Sequence, residues 1–170
     1  MIIALKKTLV FLIISFFLVG CDYKLRSSYQ GLNDLVVNIY FEENIMNQDF
    51  VSVLQRQSSL KKLHLNKEAE DSDLEIKILE HTITRFSSAL GAGARTKEAR
   101  MEYHLKIRLT PAGKKDNFLL EFKDNSYYSF DESRILAIEE VENRLKENFF
   151  KNALKRINFS LLSKLLNETN

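Results

Sequence analysis

Few side chains in this sequence can do covalent or metal chemistry: one cysteine, Cys21, and three histidines among 170 residues. A single cysteine forms no internal disulfide, so Cys21 is free for modification. His81 and His104 fall on stretches that read as neighbouring strands, where they could approach each other with Glu80 and Glu102 nearby. Metal ligation needs three or four converging donors, so the pair reads as exposed strand histidines and no metal site is assigned. The carboxylates are scattered, and no spacing forces two of them together for acid–base work. Gly-x-Ser-x-Gly, a phosphate-binding glycine loop and His-Glu-x-x-His are all missing from the sequence. The chain therefore reads as non-enzymatic, with no catalytic residue.

Cys21 has informative flanks. Lys6 and Lys7 precede Thr8 to Val19 (TLVFLIISFFLV), an apolar run containing one serine. A secretory signal needs about 7–15 apolar residues after a basic start, whereas a membrane-spanning helix needs about 20. Small Val19 and Gly20 then let a peptidase approach the backbone. Leu18-Val19-Gly20-Cys21 resembles the bacterial lipobox, which implies a diacylglycerol thioether on Cys21, cleavage before it and acylation of the new amine. That covalent lipid is the only prosthetic group expected, and no other cofactor is implied. The alternatives are an ordinary signal with a chance cysteine, or an uncleaved anchor. The expected organisation is a signal over residues 1–20, a lipidated tether over 21–34 and a single domain over 35–170.

Removing residues 1–20 takes away Lys6 and Lys7 and leaves 23 basic and 23 acidic side chains. A neutral mature chain gives no reason to expect nucleic acid as a partner. Locally the balance differs. From Arg85 to Lys115 there are eight basic residues and two acidic ones, Glu98 and Glu102. Such a cluster is either a site for an anionic partner or an ordinary solvated surface.

The elements that must position these groups follow from periodicity. Leu35 to Phe41 (LVVNIYF) reads as a strand. Asn47-Gln48-Asp49 can cap a helix running through Lys62, with Phe50, Val51 and Leu54 inward. In "LEIKILEHTITRF" Leu74, Ile76 and Ile78 alternate with Glu75 and Lys77, and a slip near Leu79 predicts a bulge or twist. "SSALGAGART", Ser87 to Thr96, holds Gly91 and Gly93 and reads as the most flexible stretch. Tyr103, Leu105, Ile107 and Leu109 alternate with polar neighbours, Pro111-Ala112-Gly113 turns, and Phe118 to Phe130 continues the pattern. Asp131 can cap a long last helix whose stripe runs through Ile138, Val141, Leu145, Phe149, Leu154, Ile157, Leu161 and Leu165.

The order β-α-β-β-β-α predicts an α+β two-layer sandwich, a four-stranded mixed sheet with two helices on one face. The opposite face would carry Glu75, Lys77, His104, Lys106, Arg108, Glu121 and Lys123, with no element left to cover it. It must meet water or a polar partner.

Cys21-Asp22-Tyr23-Lys24-Leu25-Arg26, "SDLEIKI", "EARMEYHLKIRLTPAG", "SYYSFDESRILAIEEVE" and the closing amphipathic helix together resemble the LptE family of lipopolysaccharide-assembly lipoproteins. The resemblance spans nearly all the mature chain in the same element order. It implies a 1:1 partner, an LptD-like β-barrel that the protein plugs and helps to assemble, and it implies lipopolysaccharide binding during insertion into the outer leaflet. The polar lumen of a large barrel suits an uncovered polar sheet face. For the family's lipopolysaccharide-contacting basic residues, one position falls near Arg95, with Lys97 and Arg100 close by. The other falls on Ile138, which is not basic, and Arg134 one helical turn earlier could substitute. Lys77, His104, Lys106, Arg108 and Lys123 would face the barrel lumen. The implied location is the outer membrane, on its periplasmic side and in the barrel lumen. Asp22 is the residue type that retains lipoproteins at the inner membrane in enteric bacteria, so that membrane stays open as well. The competing reading is a periplasmic lipid-binding or scaffold lipoprotein outside the lipopolysaccharide pathway; a lipid carrier would need an apolar cavity between sheet and helices.

Overall fold

A computed structural model describes residues 31–91, 96–113 and 117–167, with side chains described as far as Lys164. The signal over 1–20, Cys21, Asp22, Arg95, Lys114 and Lys115 lie outside the described residues. Strand β1 (Val36–Tyr40) leads through helix α1 (Ile45–Gln57) to β2 (Lys62–Leu65), followed by β3 (Leu74–Leu90), β4 (Thr96–Pro111) and β5 (Phe118–Ser129). A single 3-10 turn (Glu132–Arg134) then opens helix α2 (Ile135–Asn167). The sheet order is β2-β1-β3-β4-β5, with β1 parallel to both neighbours and β3, β4 and β5 antiparallel. The class is α+β, as expected, but the sheet has five strands rather than four.

The fifth strand appears because α1 stops early. Its N-cap is Asn44, whose side chain accepts from the Asn47 amide, and it ends at Gln57 instead of reaching Lys62. "KLHL" then pairs with β1, a partner far away in sequence that no local pattern announces. Asn47, read as a cap, is instead the third residue of the helix, with its side chain buried. Leu32, assigned by the sequence to the tether, is 2% exposed and packs in the core.

Both helices cover one face of the sheet. Tyr103, Leu105, Ile107 and Leu109 of β4 are at most 1% exposed there, under Phe50 of α1 and Phe149, Phe150, Leu154, Ile157 and Leu161 of α2. Burial of this apolar surface is the main favourable term in folding. The opposite face is not wholly bare. The segment joining β2 to β3 must cross β1, and it does so over that face: Asn38 Nδ2 donates to the Ala69 carbonyl at 3.3 Å and Tyr40 Oη to the Lys67 carbonyl at 3.2 Å. The expectation of no covering element is therefore corrected at β1.

The slip near Leu79 is a bulge: Ile78 pairs with Ile107 and Glu80 with Lys106, leaving Leu79 extra. One added residue exchanges the faces of every residue after it. Before the bulge Leu74, Ile76 and Ile78 point to the helices; after it His81, Ile83 and Arg85 do. The "flexible" stretch is shorter than expected, because β3 continues through Leu90 and β4 begins at Thr96, with two further register shifts near Ala89.

Candidate functional site

On the face away from the helices, cross-strand rows run Lys77–Arg108–Leu119, Glu80–Lys106–Glu121, Thr82–His104–Lys123, Thr84–Glu102–Asn125 and Phe86–Arg100–Tyr127. The alternation expected of Lys77, His104, Lys106, Arg108 and Lys123 places all of them here together. Lys106 reaches Glu80 at 3.4 Å, His104 reaches Glu121 at 3.0 Å and Glu80 at 3.7 Å, and Lys123 reaches Glu121 at 2.7 Å. Lys123 and His104 together hold the Glu121 carboxyl below the usual carboxylate range. With Glu75, Glu98 and Glu102 included, five acids face five bases (Lys77, Arg100, Lys106, Arg108, Lys123), so the surface is charged yet balanced. Exposed pairs contribute only about 0–1 kcal/mol each. Their consequence is a polar, patterned surface rather than stability.

Arg100 closes this face at its far end. It lies between two exposed rings, 5.5 Å from the Phe86 centroid and 5.9 Å from that of Tyr127, and 2.6 Å from Glu102. A guanidinium stacked on aromatic faces is held in place while its charge stays accessible.

The basic cluster counted along the sequence does not survive as one patch. Arg85 turns to the helix side after the bulge, pairing with Glu142 at 3.1 Å and lying 5.5 Å from the Phe130 ring centroid. Tyr128 donates to the same Glu142, and burial together with that carboxylate pushes its hydroxyl up to about 12. Arg100 and Lys106 stand on the other face. Lys97 lies at the tip, its stem crossing beside Gly91, and lines an open cavity of about 480 Å³ with Ser129, Phe130, Asp131, Glu132 and Ser133. Hydrogen bonds from Ser133 hold the Asp131 carboxyl low. Arg134, 77% exposed in its side chain, is 3.7 Å from Asp131. The tip thus gathers Lys97 with the turn that carries Arg134, but not Arg100. Ile138, the other family position, is 7% exposed and packs in the core, which explains why no basic residue stands there.

The two histidines do not meet. His104 faces outward with Glu80 and Glu121, whereas His81 faces the helices. The expectation that both are exposed strand histidines is corrected for His81. Its Nδ1 donates to Asn47 Oδ1 at 2.6 Å, and its ring lies 5.4 Å from those of Phe50 and Phe150 and 5.5 Å from that of Tyr103. Asn47 Nδ2 donates to the Glu42 carbonyl at 2.8 Å, fixing the amide so that its oxygen faces the imidazole. Sequence reasoning missed this pair because Asn47 resembled a cap and the bulge inverted His81. Among the described residues no three His, Cys, Asp or Glu side chains converge on a metal position.

No family model matches the sequence, and no curated protein matches it by sequence. Solved structures do share its fold. The rare lipoprotein B of Shewanella oneidensis superposes with a TM-score of 0.58 at 17% identity, over 79% of this chain and 99% of that one. A lipoprotein B of Nitrosomonas europaea gives 0.58 at 21% identity, over 80% and 87%. The chain has the rare lipoprotein B fold. A minor lipoprotein of Acinetobacter baumannii gives 0.51 at 14% identity, over 78% and 94%. At such identities the likeness is one of architecture, so the function rests on the residues of this chain.

Proposed function

We propose that the protein is a non-enzymatic outer-membrane lipoprotein, acylated on Cys21, that plugs an LptD-like β-barrel as a 1:1 partner. In this reading it assists the barrel's assembly and binds lipopolysaccharide during its insertion. The observation that carries the proposal is the polar, charge-balanced face of β3, β4 and β5, which no element of the described chain covers. A water-excluding apolar partner would strip the solvent from these charges, whereas a polar barrel lumen would not. The LptE resemblance and the fold shared with the rare lipoprotein B structures support the same reading. So does length: the tether leaves near Asn158, 23 residues of helix from Ile135 at the tip, and at 1.5 Å per residue that is about 35 Å. A bilayer's hydrocarbon core is about 30 Å thick, so an anchor in one leaflet can hold the tip near the other.

A lipid carrier is the weaker alternative. The space between β4, β5 and α2, lined by Leu105, Ile107, Phe122 and Ile157, holds only about 10 Å³, less than one acyl chain needs. A scaffold outside the lipopolysaccharide pathway is separated by its partner. Affinity purification of the tagged protein from membranes is expected to recover a large β-barrel at equal stoichiometry. Reversing Lys106 and Arg108 to glutamate is expected to leave the fold intact at a cost of about 1–2 kcal/mol, since position 106 stands between Glu80 and Glu121, while reducing barrel recovery severalfold. Unchanged recovery would remove this face from the interface.

In this reading lipopolysaccharide meets Lys97 and Arg134 at the tip, Arg95 beside Lys97 in sequence, and Arg100 between its two rings on the outer face. Since single exposed charges contribute about 0–1 kcal/mol, the test replaces Arg95, Lys97 and Arg100 together by glutamate. Binding at low salt is expected to fall about tenfold or more, and binding by the parent to weaken with added salt. A triple variant that binds as tightly as the parent would move the site elsewhere.

A further inference from the structure

We infer that the second half of α2 is a membrane-surface contact, taking the phosphate-bearing headgroups of an anionic bilayer leaflet beside the point where the tether leaves the domain. The inference rests on the Cys21 anchor for its orientation and on different residues for its chemistry.

The exit point is fixed. The Leu32 amide donates to Asn158 Oδ1 at 2.7 Å, and Leu32 itself is buried. A Cβ on Gly31 would fall 1.6 Å from that same oxygen, so a larger residue there would push the Asn158 side chain out of its hydrogen bond to Leu32. Gly31 lies ten residue steps after Cys21; fully extended these reach about 35 Å. Any lipid on Cys21 therefore keeps this part of α2 within that distance of the bilayer.

The surface at the exit has matching chemistry. From Asn148 to Lys164 the helix carries four basic residues and no acid, whereas Ile135 to Glu147 carries four acids and two bases. The helix dipole accounts for such bias only within the first and last turns, and Lys151 and Lys155 lie well inside the helix. Arg156 and Lys164 turn toward the sheet, over the Phe122 and Phe118 rings. Lys151 and Lys155 line a small recess of about 80 Å³ with Leu32 and Asn158, directly at the exit. One helical turn on, Phe159 is 70% exposed. Residues spaced by four share one helix face, so Lys151, Lys155 and Phe159 make a basic stripe ending in an aromatic ring. Lys151 also meets Glu147 at 3.0 Å, which leaves Lys155 as the freer charge. Basic side chains with an exposed ring suit the headgroup layer, where the cations meet phosphate and the ring enters the acyl boundary.

The test uses the acylated mature chain, in which Cys21 is consumed and a Phe159→Cys substitution supplies the only free thiol for a polarity-sensitive fluorophore. On phosphatidylglycerol vesicles at low salt its emission is expected to shift to the blue, while a label at Leu136→Cys on the tip stays water-exposed. Adding Lys151→Glu and Lys155→Glu, or using phosphatidylcholine alone, is expected to abolish the shift. A chain that floats with the vesicles but keeps a water-exposed label at position 159 overturns the inference and leaves the anchor standing. If the mature chain instead carries no acyl group, the anchor reading fails, and the face is judged by flotation of that chain. About tenfold loss of flotation on phosphatidylglycerol in the double lysine variant supports the contact; no flotation of the parent overturns it.

Discussion

Replacing His81 with glutamine is expected to remove about 2 kcal/mol from the stability that the protein loses between pH 7 and pH 5. Burial among Phe50, Phe150 and Tyr103 disfavours the imidazolium and lowers the His81 pKa from 6.5 to about 4. Its single polar contact, Asn47 Oδ1, is neutral and pairs with the Nδ1 proton that the neutral ring already has. Above pH 6.5 neither the folded nor the unfolded chain carries a proton on the second nitrogen, and stability does not depend on this group. As pH falls from 6.5 to 4 the unfolded chain takes up a proton that the folded chain refuses, so stability declines and the loss is complete below pH 4. Each pH unit inside that window costs about 1.4 kcal/mol. Urea unfolding at pH 7 and pH 5 measures the difference directly. Glutamine can still donate toward Asn47 and cannot titrate, so any pH-independent cost of the substitution cancels. If the variant loses as much stability as the parent on acidification, His81 is not the group responsible.

The same residue shows what local pattern can and cannot reveal. Alternation over Tyr103 to Leu109 identifies the inner face of β4 because every inward residue is apolar and every outward one polar; no tertiary information is needed. The stripe on α2 and the Asp131 cap are legible for the same reason, with the cap opening a 3-10 turn whose Ser133 amide Asp131 accepts. The slip at Leu79 is visible too. Its consequence is not, because deciding that His81 turns inward requires knowing that Leu79 is the inserted residue, and that depends on pairing with β4. β2 fails differently: "KLHL" is short and half-polar, and it becomes a strand only because β1 lies beside it. The basic run from Arg85 to Lys115 misleads because counting charge along a strand ignores that neighbours point to opposite faces. Once Arg85 is assigned to Glu142 and Lys106 to Glu80, the run no longer makes one patch, and Lys97 at the tip stands beside Asp131 and Glu132. The polar face is thus legible residue by residue, and its charge balance appears only when β3 and β5 are laid against β4.

Changing Cys21 to alanine is expected to abolish labelling by a palmitate analogue and to release the protein from membranes, the largest functional loss any single substitution here should cause. The thiol is the only one in the chain, so no second cysteine can take its place. Each buried methylene contributes about 0.8 kcal/mol, and stable anchoring takes two signals, such as two acyl chains; the headgroup contact inferred for Lys151, Lys155 and Phe159 is far too weak to substitute. The fold should be indifferent to the change. Every residue of the described core lies between Leu32 and Leu161, and the Leu32–Asn158 hydrogen bond fixes the chain before the first strand, so thermal unfolding of the variant should match that of the parent. Retention of the leader would complicate fractionation, because processing at a lipobox follows acylation. The apolar run of Thr8 to Val19 is twelve residues, about 18 Å of helix, too short to span about 30 Å of hydrocarbon. Alkaline extraction should therefore free the variant while the acylated parent stays in the pellet. Labelling that persists in Cys21→Ala would remove the lipoprotein reading, and with it the reason for expecting the tip of β3 and β4 to stand a bilayer's thickness from the anchor.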